Sequence, residues 1–400
     1  MTKKKWIALG VGIVVIAVAV VLVLVLAKPG DPVGPAEPTA ENVLKIGVFQ
    51  PVTGQNGAGG FQEVLGTRYA HSLTPTVEIG GETYAIELVE VDNQSDRAAA
   101  VTAAQTLMAS NVSVVVGSYG SAVCIAAGET FGEAGVAAIG ASCTNPQVTL
   151  GNDYYFRICF LDPFQGEVMA NYAFQEGAVK AAVITELGDD YSSALGNFFK
   201  NAFVKLGGEV VEEQFQTGQT DFKAVLTNIK AAEVDAIFAP SSIATAPLII
   251  KQARELGIEA PIMAGDTWEN VTIIENAGAD AEGVTLSTFF DEADPTAAEF
   301  VTGFKAFLNA TPEYLDRNGG DGVAAVSALG FDAYNVAIAA IKAADSTDAG
   351  AIRDALVTVA TTGVTGDITF DENGDAIKNM AFIKVVEDGA FKFLKTVTTE

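Results

Sequence analysis

An α/β fold of two lobes, each on a mostly parallel sheet, is the architecture this sequence predicts, and three observations carry the prediction. Short apolar runs rich in Val and Ile alternate with helical stretches over most of the chain, which is the pattern of βαβ units on a mostly parallel sheet. The alternation completes once and then starts again, so the 400 residues hold two units of similar size. Hydrophobic residues make up 49% of the chain, ample material for two cores.

Before the first unit comes a segment of different character. Lys3, Lys4 and Lys5 precede an uncharged apolar run at 6–27. At about 1.5 Å per residue that run spans roughly 33 Å as a helix, enough to cross a bilayer core. The lysines predict a cytoplasmic N-terminus with the remaining chain outside. A cleaved signal peptide is the competing reading, but the run exceeds the usual apolar length and ends Val-Leu-Ala-Lys-Pro, without a small-x-small site. Residues 1–27 are therefore expected to form an uncleaved single-pass membrane anchor. The first cysteine is Cys124, so no thiol near the anchor is placed to take a lipid. Residues 28–41 carry Pro29, Pro32, Pro35 and Pro38. Spacing by three matches the polyproline II helix and predicts an extended linker of roughly 40 Å at most.

In the first unit, strands are expected at 43–49, 84–91, 112–117, 136–140 and 155–160, with helices at 97–109 and 122–133 between them. The stretch 112–146 concentrates the interest, because both its loops should open at the carboxyl ends of parallel strands, where open α/β sheets bind small ligands. Ser121 is placed to cap a helix starting at Ala122, and Thr144 or Asn145 to cap a turn opening at Pro146. Two such N-termini side by side offer hydroxyls and free N–H groups to a carboxylate. Ordinary caps facing water would look the same in sequence. The junction of the units reads at 157–166, where Asp162, Pro163 and Gln165 have the spacing of an N-cap, a first helical proline and a capping box.

The second unit predicts strands at 180–185, 209–215, 234–239, 261–264 and 284–289, with helices at 192–206, 222–231 and 246–256. Long helices at 296–309 and 321–344 follow. A terminal β region at 365–397 contains a turn at Asp371-Glu-Asn-Gly-Asp375.

Composition excludes several functions. The chain carries 50 acidic against 23 basic residues, a net charge of −27, which repels phosphate backbones and anionic membrane surfaces and argues against nucleic acid as a partner. His71 is the only histidine; it sits in a polar helical stretch, reads as solvated, and has no nucleophile motif beside it. There is no P-loop, and Gly57-Ala-Gly-Gly60 lacks dinucleotide-binding spacing, so it reads as a loop touching ligand or solvent. Cys124, Cys143 and Cys159 are too few and too scattered for zinc. Outside the cell Cys143 and Cys159 are the candidate disulfide pair, with three free thiols as the alternative. No enzyme activity, cofactor or metal is expected.

Four stretches then bring a family into view: Ile46-Gly-Val-Phe-Gln-Pro-Val-Thr-Gly54, Val115-Val-Gly-Ser-Tyr-Gly-Ser121, Ala141-Ser-Cys-Thr-Asn-Pro146 and Phe156-Arg-Ile-Cys-Phe-Leu-Asp-Pro-Phe-Gln-Gly166. In this order and spacing they resemble the type I extracytoplasmic solute-binding proteins of branched-chain amino acid ABC transporters, over about residues 43–395. The resemblance implies a periplasmic-binding-protein-like type I fold, with two Rossmann-like lobes joined by three crossovers that close on one ligand like a trap. Lobe 1 would be 43–161 plus 291–365, and lobe 2 would be 162–290 plus 366–400. It implies that Ser121 and Thr144 meet a ligand carboxylate and that the Ser142 carbonyl accepts from the ligand ammonium. Tyr191 would cover the ligand, and Asp266 would pair with the ammonium. Asp266 stands where relatives often carry Glu, Ser241-Ser242 where they often carry an aromatic, and Tyr119 where an aliphatic is common. Tyr119 and Trp268 are ligand contacts or core packing. The expected role is capture of a branched-chain or similar small amino acid for the permease subunits of an ABC transporter. The alternative is a sensor for a small carboxylate or amide; a sensor of this build would carry a cytoplasmic output domain, and only five residues precede the apolar run.

Overall fold

The computed structural model describes residues 42–398; the expected anchor at 1–27 and linker at 28–41 lie outside the described residues. No helix among the described residues is long and apolar enough to cross a membrane.

The first lobe is built on a six-stranded sheet. Its chain runs β1 (Val43–Gln50), α1 (Gly57–Leu73), β2 (Thr76–Ile79), β3 (Glu82–Asp92), α2 (Arg97–Ala109), β4 (Val114–Val116), α3 (Ser121–Ala134), β5 (Ala138–Gly140) and β6 (Tyr155–Arg157), with spatial order β2-β3-β1-β4-β5-β6. All neighbours are parallel except β2 and β3, which form a hairpin whose turn residues Gly80 and Gly81 both have positive φ, as a tight primed turn requires. Every residue of β4 and β5 is buried, as befits central parallel strands covered on both faces. Alternation along them divides the core: Val114, Val116 and Ile139 face α1 and its neighbours, whereas Val115 and Ala138 face α2 and α3.

The chain then crosses to the second lobe through α4 (Asp162–Gln175), β7 (Lys180–Leu187), α5 (Asp190–Lys205), β8 (Glu209–Gln216), α6 (Lys223–Ala232), β9 (Ala236–Phe238), α7 (Ala246–Glu255), β10 (Ile262–Ala264), α8 (Val271–Ala277) and β11 (Thr285–Thr288). It returns to pack α9 (Ala298–Ala310), α10 (Pro312–Asn318), α11 (Ala325–Ala344) and α12 (Ala349–Leu356) with the first lobe. The contact of α11 with α1 is backbone-close: a Cβ at Gly66 would lie 1.9 Å from the Ser327 carbonyl oxygen, and one at Gly330 would lie 2.2 Å from the Glu63 carbonyl oxygen. Only glycine permits that approach. After the hairpin β12 (Ala360–Gly363) and β13 (Gly366–Thr369), a third passage delivers β14 (Met380–Glu387) and β15 (Ala390–Thr398) to the second sheet. That sheet has the order β15-β14-β11-β10-β9-β7-β8, with β14 and β15 antiparallel additions to a parallel set.

Several sequence expectations are corrected. Gly57–Gly60 is the first turn of α1 and not a loop. The apolar run at 155–160 is strand only as far as Arg157, and the helix expected from 321 starts at Ala325. His71 is half-buried rather than solvated, its Nε2 lying 3.0 Å from the Ile86 carbonyl oxygen and its ring edge-on to Tyr334. The cysteines are free and buried. Cys143 belongs to the core under α2 and α3, while Cys159 belongs to the core on the other face of the sheet, so the expected Cys143–Cys159 bridge does not form.

Candidate functional site

The first-lobe wall of the cleft is made where β4 and β5 end. Gly117 and Gly120 turn the chain out of β4 with φ of 116° and 91°, and α3 then starts at Ser121 itself, with Gly120 rather than Ser121 in the cap position. Ser121 has a different task. Its Oγ accepts from the Asn145 N–H at 3.1 Å, tying the loops after β4 and β5 together while its own proton remains free to donate. Asn145 caps the turn at Pro146–Val148 as expected, with Oδ1 accepting from the Gln147 N–H at 2.8 Å.

Arg157, missed as a site residue, braces this loop from below. Its guanidinium is fully buried, donates to the carbonyls of Cys143 (3.0 Å) and Asn145 (2.5 Å) and to Thr149 Oγ1 (3.1 Å), and pairs with Asp375. Asp375 arrives from the Asp371–Asp375 turn, so the polar turn seen in sequence is the partner of a buried charge. Burying a guanidinium is tolerable only with such a full set of acceptors.

The second-lobe wall centres on Asp266, which opens a short 3-10 turn after β10. Its Oδ1 accepts from Gln165 Nε2 at 2.7 Å and from the Tyr191 hydroxyl at 3.0 Å. Tyr191 is the second residue of α5, whose N-cap Asp189 accepts from the Tyr191 N–H at 2.9 Å. Gln165 does not complete a capping box: α4 begins at Asp162 with Leu161 in the cap position and no side-chain cap, which leaves the Gln165 amide free to reach Asp266. Burial pushes the Asp266 carboxyl up to about 6 and the bonds from Gln165 and Tyr191 pull against that rise. Trp268 is a core residue. It is 1% exposed, and its Nε1 donates to the Ser241 carbonyl at 3.2 Å.

Tyr119 joins the two walls. Its hydroxyl donates to the Thr267 carbonyl at 3.2 Å, from the loop after β4 to the turn after β10. The ring lies against Gly59, where a Cβ would come within 2.7 Å of it and 2.9 Å of Ile243. Further bonds hold the lobes closed. The Ile243 N–H donates to Asn56 Oδ1 (3.0 Å), the Ala244 N–H to the Gln55 carbonyl (3.1 Å), Asn145 Nδ2 to the Asp190 carbonyl (2.9 Å) and Asn270 Nδ2 to Gln62 Oε1 (2.9 Å), and Arg97 pairs with Asp190.

Ser142 sits at the back of the cleft, and its Oγ donates to Glu63 Oε2 at 2.6 Å. Glu63 is wholly buried on α1 and also accepts from Gln50; burial pushes its carboxyl up to about 7 against the lowering effect of those two bonds. It was missed because 57–60 read as a loop. With the helix started at Gly57, Glu63 falls on the same face as Gly59, Gly66 and Thr67, all buried, and an acid on a buried face is a signal in itself.

Thus six of the seven expected residues, all but Trp268, gather at the facing walls. On and around them several buried polar atoms make no hydrogen bond within the protein: Thr144 Oγ1, both Asp162 carboxylate oxygens, Gln165 Oε1 and Ser241 Oγ. Asp162 lies beside Thr144, its N–H donating to the Thr144 carbonyl at 3.0 Å, and burial drives its carboxyl well up. Buried polar atoms are nearly always satisfied, so this set marks a candidate polar binding site. Hydroxyls and a long helix N-terminus on one wall suit an anion, and acids without free cations on the other suit a cation. Among the described residues no three His, Cys, Asp or Glu side chains are grouped to hold a metal.

Comparison with known proteins gives consistent matches. Residues 43–390 match the profile described as periplasmic binding protein. The Leu/Ile/Val-binding protein homolog 1 of Brucella suis biovar 1 (strain 1330) is 30% identical over 338 residues, covering 82% of this chain and 86% of that protein. Among solved structures, the leucine binding protein LivK from Thermotoga maritima MSB8 is 35% identical with a TM-score of 0.82, covering 89% of this chain and 99% of that one. The branched-chain amino acid transporter substrate binding protein LivJ from Streptococcus pneumoniae, in complex with isoleucine, is 30% identical with a TM-score of 0.78, covering 90% and 99%.

Proposed function

The chain belongs to the periplasmic binding protein family, and from that premise we propose that it is the extracytoplasmic substrate-binding component of an ABC transporter, capturing a small amino acid between its lobes for the permease subunits. One observation carries the ligand class. The Ser121 hydroxyl at the N-terminus of the 14-residue helix α3 and the Thr144 hydroxyl after β5 lie on the first-lobe wall and the desolvated carboxylate of Asp266 on the second, and an α-amino acid brings the complementary carboxylate and ammonium on one carbon.

In this reading the Ser121 hydroxyl and the hydroxyl and N–H of Thr144 receive the ligand carboxylate. The Ser142 carbonyl and Asp266 receive the ammonium, Tyr191 covers the ligand while holding Asp266, and Tyr119 bounds the side-chain space against Gly59. Trp268 backs the Asp266 turn from the second-lobe core. The lobes are 43–161 plus 291–365 and 162–290 plus 366–400, a division supported by the two sheets and the three passages between them. Residues 6–27 hold the protein to the membrane, with the lobes outside; the support is their length, their lack of charge and the three lysines before them. Calorimetry with a panel of L-amino acids and their deaminated carboxylates tests the ligand class. Amino acids should bind and the deaminated acids should not, and the reverse order would end the assignment.

A further inference from the structure

Glu63 is a buried acid that no role above requires. It projects from α1 into the space behind Ser142, the residue whose carbonyl is proposed to receive the ligand ammonium, and it is held there by the Ser142 hydroxyl at 2.6 Å and by the Gln50 amide. Helix α1 is itself fixed by its glycine contact with α11, which donates the Ser327 hydroxyl to the Gln62 carbonyl and contributes no ionisable group to the charges acting on Glu63. The ionisable groups facing Glu63 are Asp266 from the turn after β10, Tyr119 from the loop after β4 and Tyr155 from β6, with Glu269 and Asp162 farther along the cleft. The cations of the cleft are committed elsewhere: Arg157 to Asp375, Lys384 to Glu269 at 2.6 Å, and Arg97 to Asp190. Closure therefore brings two buried carboxylates, one from each lobe, within electrostatic reach of each other, and among the described residues no side-chain cation pairs with either.

We propose that Glu63 is a positioning residue of the ammonium subsite: its charge, one hydrogen bond behind Ser142, is held ionised together with that of Asp266 by the ammonium of the ligand, which links binding to the proton state of both. The proposal rests on the amino-acid reading above. Two like charges in a water-excluded site cannot both persist without a counter-charge. In the closed form without a cation burial lifts both carboxyls, Glu63 to about 7 and Asp266 to about 6, so closure alone favours taking up protons. Closure around an ammonium favours giving them up. Affinity for an amino acid should then fall as pH drops through the carboxyl range of the ligand-free protein, and the slope counts the protons displaced.

The experiment is calorimetric titration of the full chain with L-valine and L-alanine between about pH 4.5 and 8, in buffers of different ionisation heat, which yields affinity and proton count together. The wild type should displace one more proton than Glu63→Gln in the lower part of that range, and the variant should bind about tenfold to a hundredfold more weakly at the upper end, the usual worth of one charge-assisted partner. Ser142→Ala keeps the carboxylate and removes a bond that holds it down, so it should keep the wild-type count and move the midpoint to higher pH. That second variant decides the matter if Glu63→Gln does not fold. Equal proton counts in the wild type and Glu63→Gln, or an unmoved midpoint in Ser142→Ala, would overturn the proposal while leaving amino-acid binding intact. Failure of every amino acid in the wider panel to bind would instead bring down the ligand reading, and this proposal with it.

Discussion

Asp266→Asn separates two effects that usually travel together, because both donors to Asp266, Gln165 and Tyr191, bond the same oxygen, Oδ1. An asparagine can keep that oxygen in place and accept both bonds, so the change falls on the other position, where an NH₂ replaces the oxygen left for the ligand ammonium. Removing one partner of a desolvated charge pair costs about 2–5 kcal/mol, or roughly thirty-fold to several-thousand-fold in affinity. The closed form without ligand responds in the opposite direction. Its Asp266 carboxyl is lifted from 3.8 to about 6, so the closed form binds the proton more tightly than the unfolded chain. The resulting penalty is absent below the ordinary carboxylate range, grows between the two values and is complete above the higher one, where it amounts to about 3 kcal/mol for the closed form at about 1.36 kcal/mol per unit. Thermal melts at neutral pH, with and without an amino acid, read the binding effect. Asp266→Asn should abolish most of the rise in melting temperature on adding ligand. A variant that binds as tightly as the wild type, or whose melting temperature rises as far on adding ligand, would refute the assignment of Asp266 as a desolvated ammonium partner.

Other consequences follow from the same geometry. Arg157→Ala leaves Asp375 unpaired and frees the carbonyls of Cys143 and Asn145; it should cost about 3–5 kcal/mol of stability in a denaturant titration, and a loss within error of zero would contradict its bracing role. Small-angle scattering should show the radius of gyration falling when amino acid is added, as the lobes close onto the bonds between Asn56 and Ile243 and between Asn145 and Asp190; an unchanged radius at saturation would count against hinge closure. Protease added to intact cells should release a soluble fragment beginning within 28–41, and complete protection would place the lobes on the wrong side of the membrane.

The alternation of apolar runs and helical stretches made the two sheets legible, because buried parallel strands such as β4 and β5 have no polar face to blur the pattern. Where the sequence misled, tertiary contacts had outbid local chemistry. Asp162, Pro163 and Gln165 have the spacing of a capping box, yet Gln165 donates to Asp266, a residue 101 positions away whose buried carboxylate needs donors, and not to a helix terminus that backbone geometry already starts. Ser121 is displaced from its cap in the same way, by the Asn145 N–H. The glycines at 57–60 suggested a loop, since glycine weakens helices. Their use is steric: a Cβ at Gly59 would strike Tyr119, and one at Gly60 would lie 2.0 Å from the Pro51 carbonyl oxygen. Such pressure comes from the loops after β1 and β4, outside the helix itself, and periodicity cannot register it.

Tyr119 and Gly59 belong together, and this bears on the space left for a ligand side chain. A tyrosine at 119 occupies space that only glycine at 59 can leave, and its hydroxyl then spends the room on a bond to Thr267 in the opposite lobe. The ring is 3% exposed, so in the closed form it bounds the cleft as a fixed wall rather than a movable side chain. A ligand side chain lying toward that wall meets aromatic carbon and a committed hydroxyl. Ser241 and Ser242, across the cleft, offer small polar groups in place of a second ring, and Ser241 Oγ has no partner within the protein. Calorimetry comparing L-serine, L-alanine and L-valine reads the effect of that hydroxyl: an unpaired buried hydroxyl discriminates more sharply than a missing methyl group, so serine should bind more tightly than alanine, and equal affinities would show that Ser241 does not meet the ligand side chain.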